Sequence, residues 1–149
     1  MLNYIGMVEK FAGGVAMIKF TQRERDCLSI ILTEKRITLK RLSSRLGVKP
    51  PTAHSLVGRL AGRGLVFKDE NNTIGLTRLG TKNAEEMMFK HRVMETLLSK
   101  NGVGKDEVCA ECKKLDFLLS DKIAEEIFEK LNRPKLCPHG KPIIEMKNA

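Results

Sequence analysis

Three short stretches in the second half of the chain carry residues that can bind metal ions. His91 and Glu95 lie four residues apart in a segment whose apolar spacing predicts a long helix, so both would project from one helix face. An imidazole and a carboxylate at that spacing can hold one divalent metal. The other interpretation is a His–Glu pair at a partly exposed helix edge, because a carboxylate on an apolar stripe is costly unless it is paired or ligating.

A second group lies on the next predicted helix, where Cys109, Cys112 and Asp116 fall at positions i, i+3 and i+7. Thiolates and a carboxylate on one side could bind Fe²⁺, Zn²⁺ or a softer ion. The same C-x-x-C spacing also suits a redox pair, or two buried core cysteines beside a solvated aspartate. Cys137 and His139 follow in the tail. They would complete a four-ligand zinc site with the two cysteines if the chain brought the two stretches together.

Three predicted helices position these side chains. The first is capped by Thr77 and runs over about residues 78–99. The second, which carries the cysteines, runs over about residues 105–119. The third is capped by Ser120 and ends near residue 131, where an irregular tail begins with three of the five prolines.

The first half of the chain predicts a helix-turn-helix. Thr21 with Glu24 three residues later forms a capping box for a helix that ends near residue 34. Thr38 begins the next helix, which ends at Gly47. Pro51 then opens a third helix that runs to about residue 63. Two short helices joined by a tight turn make the motif.

A β-hairpin is predicted next, because residues 65–76 have the pattern of a strand, a polar turn and a second strand. A helix-turn-helix followed by a hairpin is a winged helix, and the alternative is a small helical bundle with an incidental hairpin. The sequence therefore predicts a mainly α fold. Its predicted parts are a leading segment at 1–20 with a helical stretch near 4–11, a winged-helix DNA-binding domain at 21–80, and a helical, metal-sensing domain with an irregular tail at 81–149.

Charge is distributed unevenly between these halves. The net charge is +9, with 14 Lys and Arg against 6 Asp and Glu in residues 1–80 but 13 against 12 in residues 81–149. A basic half joined to a nearly neutral half indicates a nucleic-acid-binding module plus another function. A generally basic surface is the alternative.

The sequence also indicates in which cellular compartment the protein works and whether it is an enzyme. The sequence shows no secretory signal and no apolar run long enough to span a bilayer, so we expect a cytoplasmic protein without a membrane partner. In a reducing compartment its four cysteines are ligands, redox groups or core residues rather than disulfides. A thiol oxidoreductase is disfavoured, because no thioredoxin-like strand–helix alternation surrounds the C-x-x-C, and no nucleotide-binding glycine loop is present. We therefore expect no enzyme.

The third predicted helix has one apolar and one polar face. On a helical wheel Ala53, Leu56, Val57 and Leu60 fall on one side, and small, hydroxyl and basic residues fall on the other. Such a surface can enter the major groove of double-stranded DNA, while neighbouring basic residues contact phosphates. The predicted DNA-contacting set is Arg41, Arg45, Lys49, Pro51, Thr52, His54, Ser55, Arg59 and Lys68.

The chain resembles the diphtheria-toxin-repressor family of metal-dependent repressors, including its manganese-responsive branch. Five segments carry the resemblance, at residues 48–53, 76–80, 90–98, 118–121 and 137–143. The resemblance implies a homodimer paired through the C-terminal helices, a palindromic operator, and Fe²⁺ or Mn²⁺ as corepressor. It also implies that the chain is too short to hold the additional SH3-like domain of longer members.

The resemblance implies metal ligands at Asp26, His91, Glu95 and Asp116. Where the family has further ligands, Lys113 and Phe117 stand here, so the usual site is altered. Cys109 and Cys112 could rebuild a thiol-rich site, which would favour Fe²⁺ first, with Zn²⁺ or Mn²⁺ as other possibilities. The predicted function is a DNA-binding regulator, acting as a repressor under metal control. The alternative is a metal-independent or thiol-responsive winged-helix transcription factor with a degenerate metal site.

Overall fold

The structure, a computed structural model, describes residues 18–146 of the 149-residue chain. Most of the leading segment predicted at residues 1–20, including its expected helical stretch near 4–11, lies outside the described residues. Within them, a helix-turn-helix and a β-hairpin precede a helical C-terminal part, and the predicted fold class is confirmed.

The described residues form six α-helices, three β-strands and one 3-10 turn. None of these helices is both long and apolar enough to cross a membrane. In chain order the elements are α1 Gln22–Glu34, β1 Arg36–Thr38, α2 Leu39–Leu46, α3 Pro50–Gly62, β2 Val66–Lys68, β3 Thr73–Leu76, α4 Arg78–Lys100, α5 Lys105–Leu115, the 3-10 turn Asp116–Leu118 and α6 Asp121–Lys130.

Side-chain caps begin four of the helices at the residues that the sequence predicts. The Thr21 hydroxyl accepts a hydrogen bond from the Glu24 backbone N–H, and the Glu24 carboxylate accepts one from the Thr21 N–H. This is the predicted capping box, which satisfies two otherwise unpaired donors at the start of α1. Thr38, Thr77 and Ser120 cap α2, α4 and α6 in the same manner.

The hairpin belongs to a sheet that is larger than the sequence indicates. Strands β2 and β3 pair antiparallel, and the turn between them is held by Asp69, whose carboxylate accepts the backbone N–H groups of Asn71 and Thr73. Strand β1 adds to the free edge of β3, with Ile37 opposite Ile74. Because β1 has only three residues, its alternation was too short to predict.

Helix α4 joins two hydrophobic clusters and crosses the domain boundary predicted at residue 80. Its first turns place Ala84 and Met87 in the core of the winged helix. Further along, Phe89 and Val93 belong to a second cluster with α6 and the tail, where Phe89 packs edge-on against Phe128 at a ring-centroid distance of 5.2 Å. A shift of α4 would therefore be felt in both halves, since close-packed interiors transmit small displacements.

The start of α4 is locked against the winged helix at Gly80. A Cβ atom built on Gly80 would lie 1.8 Å from the backbone oxygen of Leu65, so only glycine fits. Thr77 strengthens the same junction, because its hydroxyl donates to the Gly64 carbonyl oxygen at 2.6 Å. This close approach explains why a glycine lies within the first turn of the helix.

Candidate metal centre and nucleic-acid interface

Helix α4 presents His91 and Glu95 on one buried face. His91 is 5% and Glu95 is 3% exposed, and His91 Nε2 lies 3.0 Å from Glu95 Oε1. Helix α5 packs beside α4 and brings Cys109 Sγ to 3.5 Å from the same imidazole nitrogen. His91, Glu95 and Cys109 thus offer one nitrogen, one oxygen and one sulfur ligand atom within 4.8 Å of one another.

The tail adds a second group of ligand atoms around Glu95. A tight turn hydrogen-bonds the Cys137 N–H to the Lys141 carbonyl oxygen and the Gly140 N–H to the Cys137 carbonyl oxygen, with Gly140 at φ +77. The turn directs His139 inward, and its Nδ1 lies 3.2 Å from Glu95 Oε1. Glu95, Cys137 and His139 form the second cluster whose ligand atoms lie within 4.8 Å. Glu95 is shared, so the two groups adjoin.

Ionisation at this site follows from burial and from neighbouring charges. Burial would raise the pKa of Glu95, but the hydrogen bond and charge of His91, with the charge of His139, lower that pKa to about 2. Burial would lower the pKa of His91, but contacts with Asp116 and Glu95 outweigh it, and this pKa is raised. Burial raises the pKa of Cys109. A metal would therefore displace protons from His91 and Cys109 on binding.

Asp116, which was expected to bind a metal, instead pairs with Arg25. Helix α5 ends at Leu115, four residues before the predicted end, and Asp116 opens the 3-10 turn that follows. Its carboxylate is fully buried and accepts hydrogen bonds from the Arg25 Nε–H at 2.9 and 3.0 Å. His91 Nδ1 lies 2.9 Å from Asp116 Oδ2. Asp116 thus contacts the imidazole on the side opposite the Glu95 and Cys109 cluster.

Two further residues of the predicted ligand set lie outside both clusters. Cys112 is fully buried, and burial together with nearby carboxylates raises its pKa to about 12, which keeps it a neutral thiol. Asp26 is partly exposed and contacts Arg25 Nη1 at 3.3 Å. Among the described residues, neither joins a group of three or more ligand atoms that all lie within 4.8 Å of one another. The predicted set of six therefore divides, and only His91, Glu95 and Cys109 converge.

A cavity of about 550 Å³ opens beside the clusters. Its walls include Asp26 and Leu46 from the winged helix, His91 and Glu95 from α4, and His139 from the tail. Residues of both clusters therefore line this cavity, although His91 and Glu95 are almost completely buried, and the cavity lies between the DNA-binding half and the tail. An ion binding there would lie between the two halves of the protein.

The chemistry of these donors fits a divalent transition metal. Imidazole, carboxylate and thiol groups converge here, and the thiols of the partly buried Cys109 and the buried Cys137 both lie beside the Glu95 carboxylate. Such mixed nitrogen and sulfur sets suit Fe²⁺ or Zn²⁺ better than Mn²⁺, which prefers oxygen ligands.

Helix α3 presents the two faces that the helical wheel predicts. Ala53, Leu56, Val57 and Leu60 are buried against the core. Gly58 is exposed, and no atom lies within 4 Å of a Cβ built there, so the helix surface is low at this point. The other members of the outer face are also exposed: Pro51, Thr52, His54, Ser55 and Arg59. The face is thus free to contact a ligand as large as a duplex.

The basic residues around α3 are exposed but some are already paired. Arg41 and Arg45 both form ion pairs with Glu34, at 3.1 and 2.8 Å. The hydrogen bond from Arg41 and the charges of both arginines hold the pKa of Glu34 below its usual value. Ion pairs at an exposed surface stabilise the fold little, so a phosphate could replace Glu34 as the partner. Lys49, next to α3, and Lys68, on the wing, are exposed as well.

Sequence reasoning missed Arg25, which lies one residue before the predicted ligand Asp26. The available signal was its position: Arg25 lies three residues before Leu28 and seven before Leu32, spacings that place the three on one side of α1, against the core. A cation on such a stripe requires a buried anionic partner. Asp116 is that partner, although 91 residues separate the two in sequence.

Comparison with known proteins gives this geometry a context. Residues 77–145 match the family model of the iron-dependent repressor metal-binding and dimerisation domain. An uncharacterized HTH-type transcriptional regulator of Aeropyrum pernix is 34% identical over 104 residues, which cover 70% of this chain and 58% of that protein. The iron-dependent repressor IdeR of Mycobacterium leprae is 33% identical over 104 residues, which cover 69% of this chain and 45% of that repressor.

A solved structure extends the likeness to most of the fold. The manganese regulator SloR superposes with a TM-score of 0.76 at 31% identity, over 87% of this chain and 62% of that one. This chain spans about half the length of the curated relatives it matches. The family model thus places residues 77–145 in the iron-dependent repressor metal-binding and dimerisation domain family, and the relatives and the shared fold show that most of the chain is similar to metal-dependent repressors of the diphtheria-toxin-repressor family.

Proposed function

We propose that this protein is a transcriptional repressor whose binding to operator DNA is controlled by a divalent metal. The observation that carries the proposal is the convergence of ligand atoms around Glu95, beside a cavity that separates the winged helix from the tail. Among the relatives and structural neighbours are proteins named for iron and manganese regulation, which favours the same function here.

DNA binding is supported by the shape and charge of the first half. The exposed face of α3 carries hydroxyl groups, an imidazole and a guanidinium, which can reach base edges in a major groove. Arg41, Arg45, Lys49 and Lys68 surround it and would contact phosphates, which position the protein without reading the sequence.

We assign the metal to His91, Glu95 and Cys109, with Cys137 and His139 as the adjoining donors. These residues come from α4, from α5 and from the tail, so a bound ion would tie three elements together. The remaining members of the sequence-based set, Asp26, Cys112 and Asp116, would support the site from outside the ligand shell. When bound, the metal would supply positive charge and fixed ligand directions that hold α5 and the tail against α4, the helix whose first turns lie in the core of the winged helix.

Iron is our first candidate for the ion. Thiol and imidazole donors favour Fe²⁺ or Zn²⁺, and Fe²⁺ agrees with the description of the matching family model. Mn²⁺ is the alternative suggested by the manganese regulator to which the fold is similar.

A homodimer is the expected assembly. The matching model covers a dimerisation domain, and large apolar side chains are exposed in this part of the chain, including Leu115, Leu118, Ile123 and Ile144. Two copies would place two α3 helices on one duplex, so the operator would be a palindrome.

The test is an anaerobic selection of bound sequences from random duplexes, with chelator or with Fe²⁺, Mn²⁺ or Zn²⁺. We expect a palindromic sequence to be enriched with one metal and not with chelator. Ser55→Ala should change the enriched bases, whereas Ser99→Ala, a hydroxyl removed from α4, should not. Enrichment of the same sequence with chelator would instead support a metal-independent factor. No enrichment under any condition would reject DNA recognition.

A further inference from the structure

Arg25 places a buried positive charge where three elements meet. Its side chain is 2% exposed and projects from α1 toward α4 and the 3-10 turn. Its Nε–H donates to both carboxylate oxygens of Asp116, its Nη2 contacts Asp116 Oδ2, and Nη2 lies 3.2 Å from His91 Nδ1. Nη1 lies 3.3 Å from Asp26 Oδ1. One cation therefore gathers two carboxylates and an imidazole.

These partners are distant in sequence, so the contact joins separate parts of the fold. Arg25 belongs to α1 of the winged helix, whereas Asp116 and His91 lie 91 and 66 residues further along the chain. Asp116 is completely buried, and a buried carboxylate is tolerated only with a charged or hydrogen-bonded partner. The two-pronged contact with a guanidinium satisfies both oxygens, which leaves neither free for a metal.

We infer that the Arg25 guanidinium takes the place of a metal ion at this junction, so that α1 is joined to α4 and the 3-10 turn without any metal. Asp116 is thereby withheld from the ligand set. The inference rests on the proposed function only in taking the cluster around Glu95 as the metal site. It assigns metal control to that cluster alone.

Arg25 is then a positioning residue for the metal site. The His91 ring lies between the two sites: Nδ1 faces Asp116 and Arg25, and Nε2 faces Glu95 and Cys109. A carboxylate that holds one imidazole nitrogen fixes the ring and leaves the other nitrogen to bind a metal. Arg25 fixes Asp116, which in turn holds the ring.

The first test removes the Arg25 guanidinium. Arg25→Ala leaves Asp116 unpaired beside Asp26 and His91, a group that attracts a divalent cation. We expect this variant to bind one more Mn²⁺ per chain than the unmodified protein, as counted by electron paramagnetic resonance. Adding Asp116→Ala should remove the extra ion. Arg23→Ala removes the same charge from an exposed position on α1 and should leave the count unchanged. An unchanged count in folded Arg25→Ala would overturn the inference.

The second test is measured on the unmodified protein, so it does not depend on whether Arg25→Ala folds, and Arg25→Lys serves only to assign one signal. With ¹⁵N-labelled arginine, the Arg25 Nε–H signal, identified by its loss in Arg25→Lys, should exchange slowly with water. We expect that slow exchange to persist after Zn²⁺ is added. Exchange accelerated about tenfold or more by Zn²⁺ would mean that the metal takes Asp116 from Arg25, and would refute the inference.

Neither readout involves DNA, so the two proposals can fail separately. A protein that binds no DNA with any metal loses the proposed function, while the metal count and the Arg25 signal still decide the role of Arg25. Conversely, suppose that a metal stimulates DNA binding but that Arg25→Ala binds no more Mn²⁺ than the unmodified protein. The proposed function would then stand, and the claim that Arg25 takes the place of a metal ion would fail.

Discussion

Gly58 allows folding and DNA recognition to be separated in one substitution. It lies inside α3, and an added Cβ would meet no atom within 4 Å, so Gly58→Ala creates no clash in the protein. Alanine is favoured over glycine in a helix interior by about 0.8–1 kcal/mol, so the free energy of unfolding should rise by roughly that amount. The new methyl group would project toward the groove between Ser55 and Arg59, and we expect DNA affinity to fall about tenfold or more, which corresponds to about 1.4 kcal/mol.

Urea denaturation would measure the stability of Gly58→Ala, and fluorescence anisotropy with a labelled operator duplex would measure its affinity. Gly62→Ala is the matched control, because it is also helical and equally open, but it lies at the C-terminal end of α3. We expect it to be stabilised or unchanged and to bind DNA normally, since Gly62 lies beyond Arg59, the last residue of α3 in the predicted DNA-contacting set. A more stable Gly58→Ala that binds DNA as tightly as the unmodified protein would refute the placement of this face in the groove.

Four further predictions address the core, the ligand set, the phosphate contacts and the site's protonation. Gly80→Ala should lower the free energy of unfolding by about 1–3 kcal/mol in urea, because its methyl group would overlap the Leu65 carbonyl oxygen, and an unchanged value would contradict this packing. Cys112→Ser should leave Co²⁺ affinity unchanged by spectroscopic titration, whereas a loss of about tenfold or more would identify Cys112 as a ligand. Arg41→Ala should weaken DNA binding equally at all sequences and reduce the salt slope by about 1, and an unaltered slope would exclude its phosphate contact. The pKa of His91 is raised in the folded protein, so protonation of His91 stabilises the metal-free fold. This stabilisation is complete below pH 6.5, the ordinary pKa of histidine, and is lost as the pH rises through the raised pKa. The Tm in chelator should therefore fall as the pH rises above 6.5, and His91→Gln should remove this dependence.

Features that depend on residues close together in the sequence, such as helix starts and helix faces, were predictable. Thr21, Thr38, Thr77 and Ser120 begin helices because a hydroxyl that accepts a backbone N–H is a local interaction, visible in the order of residues. The buried and exposed faces of α3 also follow from a fixed helical period.

Contacts between distant residues were not predictable in the same way. The chain order does not reveal that Arg25 meets Asp116, and the resemblance pointed to Asp26, the neighbour of Arg25, as a metal ligand. Helix α5 ends earlier than its pattern indicates, because Asp116 turns toward that guanidinium. The meeting of Cys137 and His139 with Glu95 depends on how the tail packs, and the sequence suggested these two residues only as partners of Cys109 and Cys112 in a zinc site.

The most direct measurement of the central claim compares DNA binding by the unmodified protein with that of two matched glutamate variants. Glu95→Gln removes the carboxylate shared by both ligand clusters, and Glu85→Gln removes an exposed one from the same helix. Binding to labelled DNA from upstream of its own gene would be followed anaerobically, first in chelator and then with Fe²⁺, Zn²⁺ or Mn²⁺. The account predicts that one metal strengthens binding about tenfold or more in the unmodified protein and in Glu85→Gln but not in Glu95→Gln. Tight binding by all three proteins that no metal alters would contradict it.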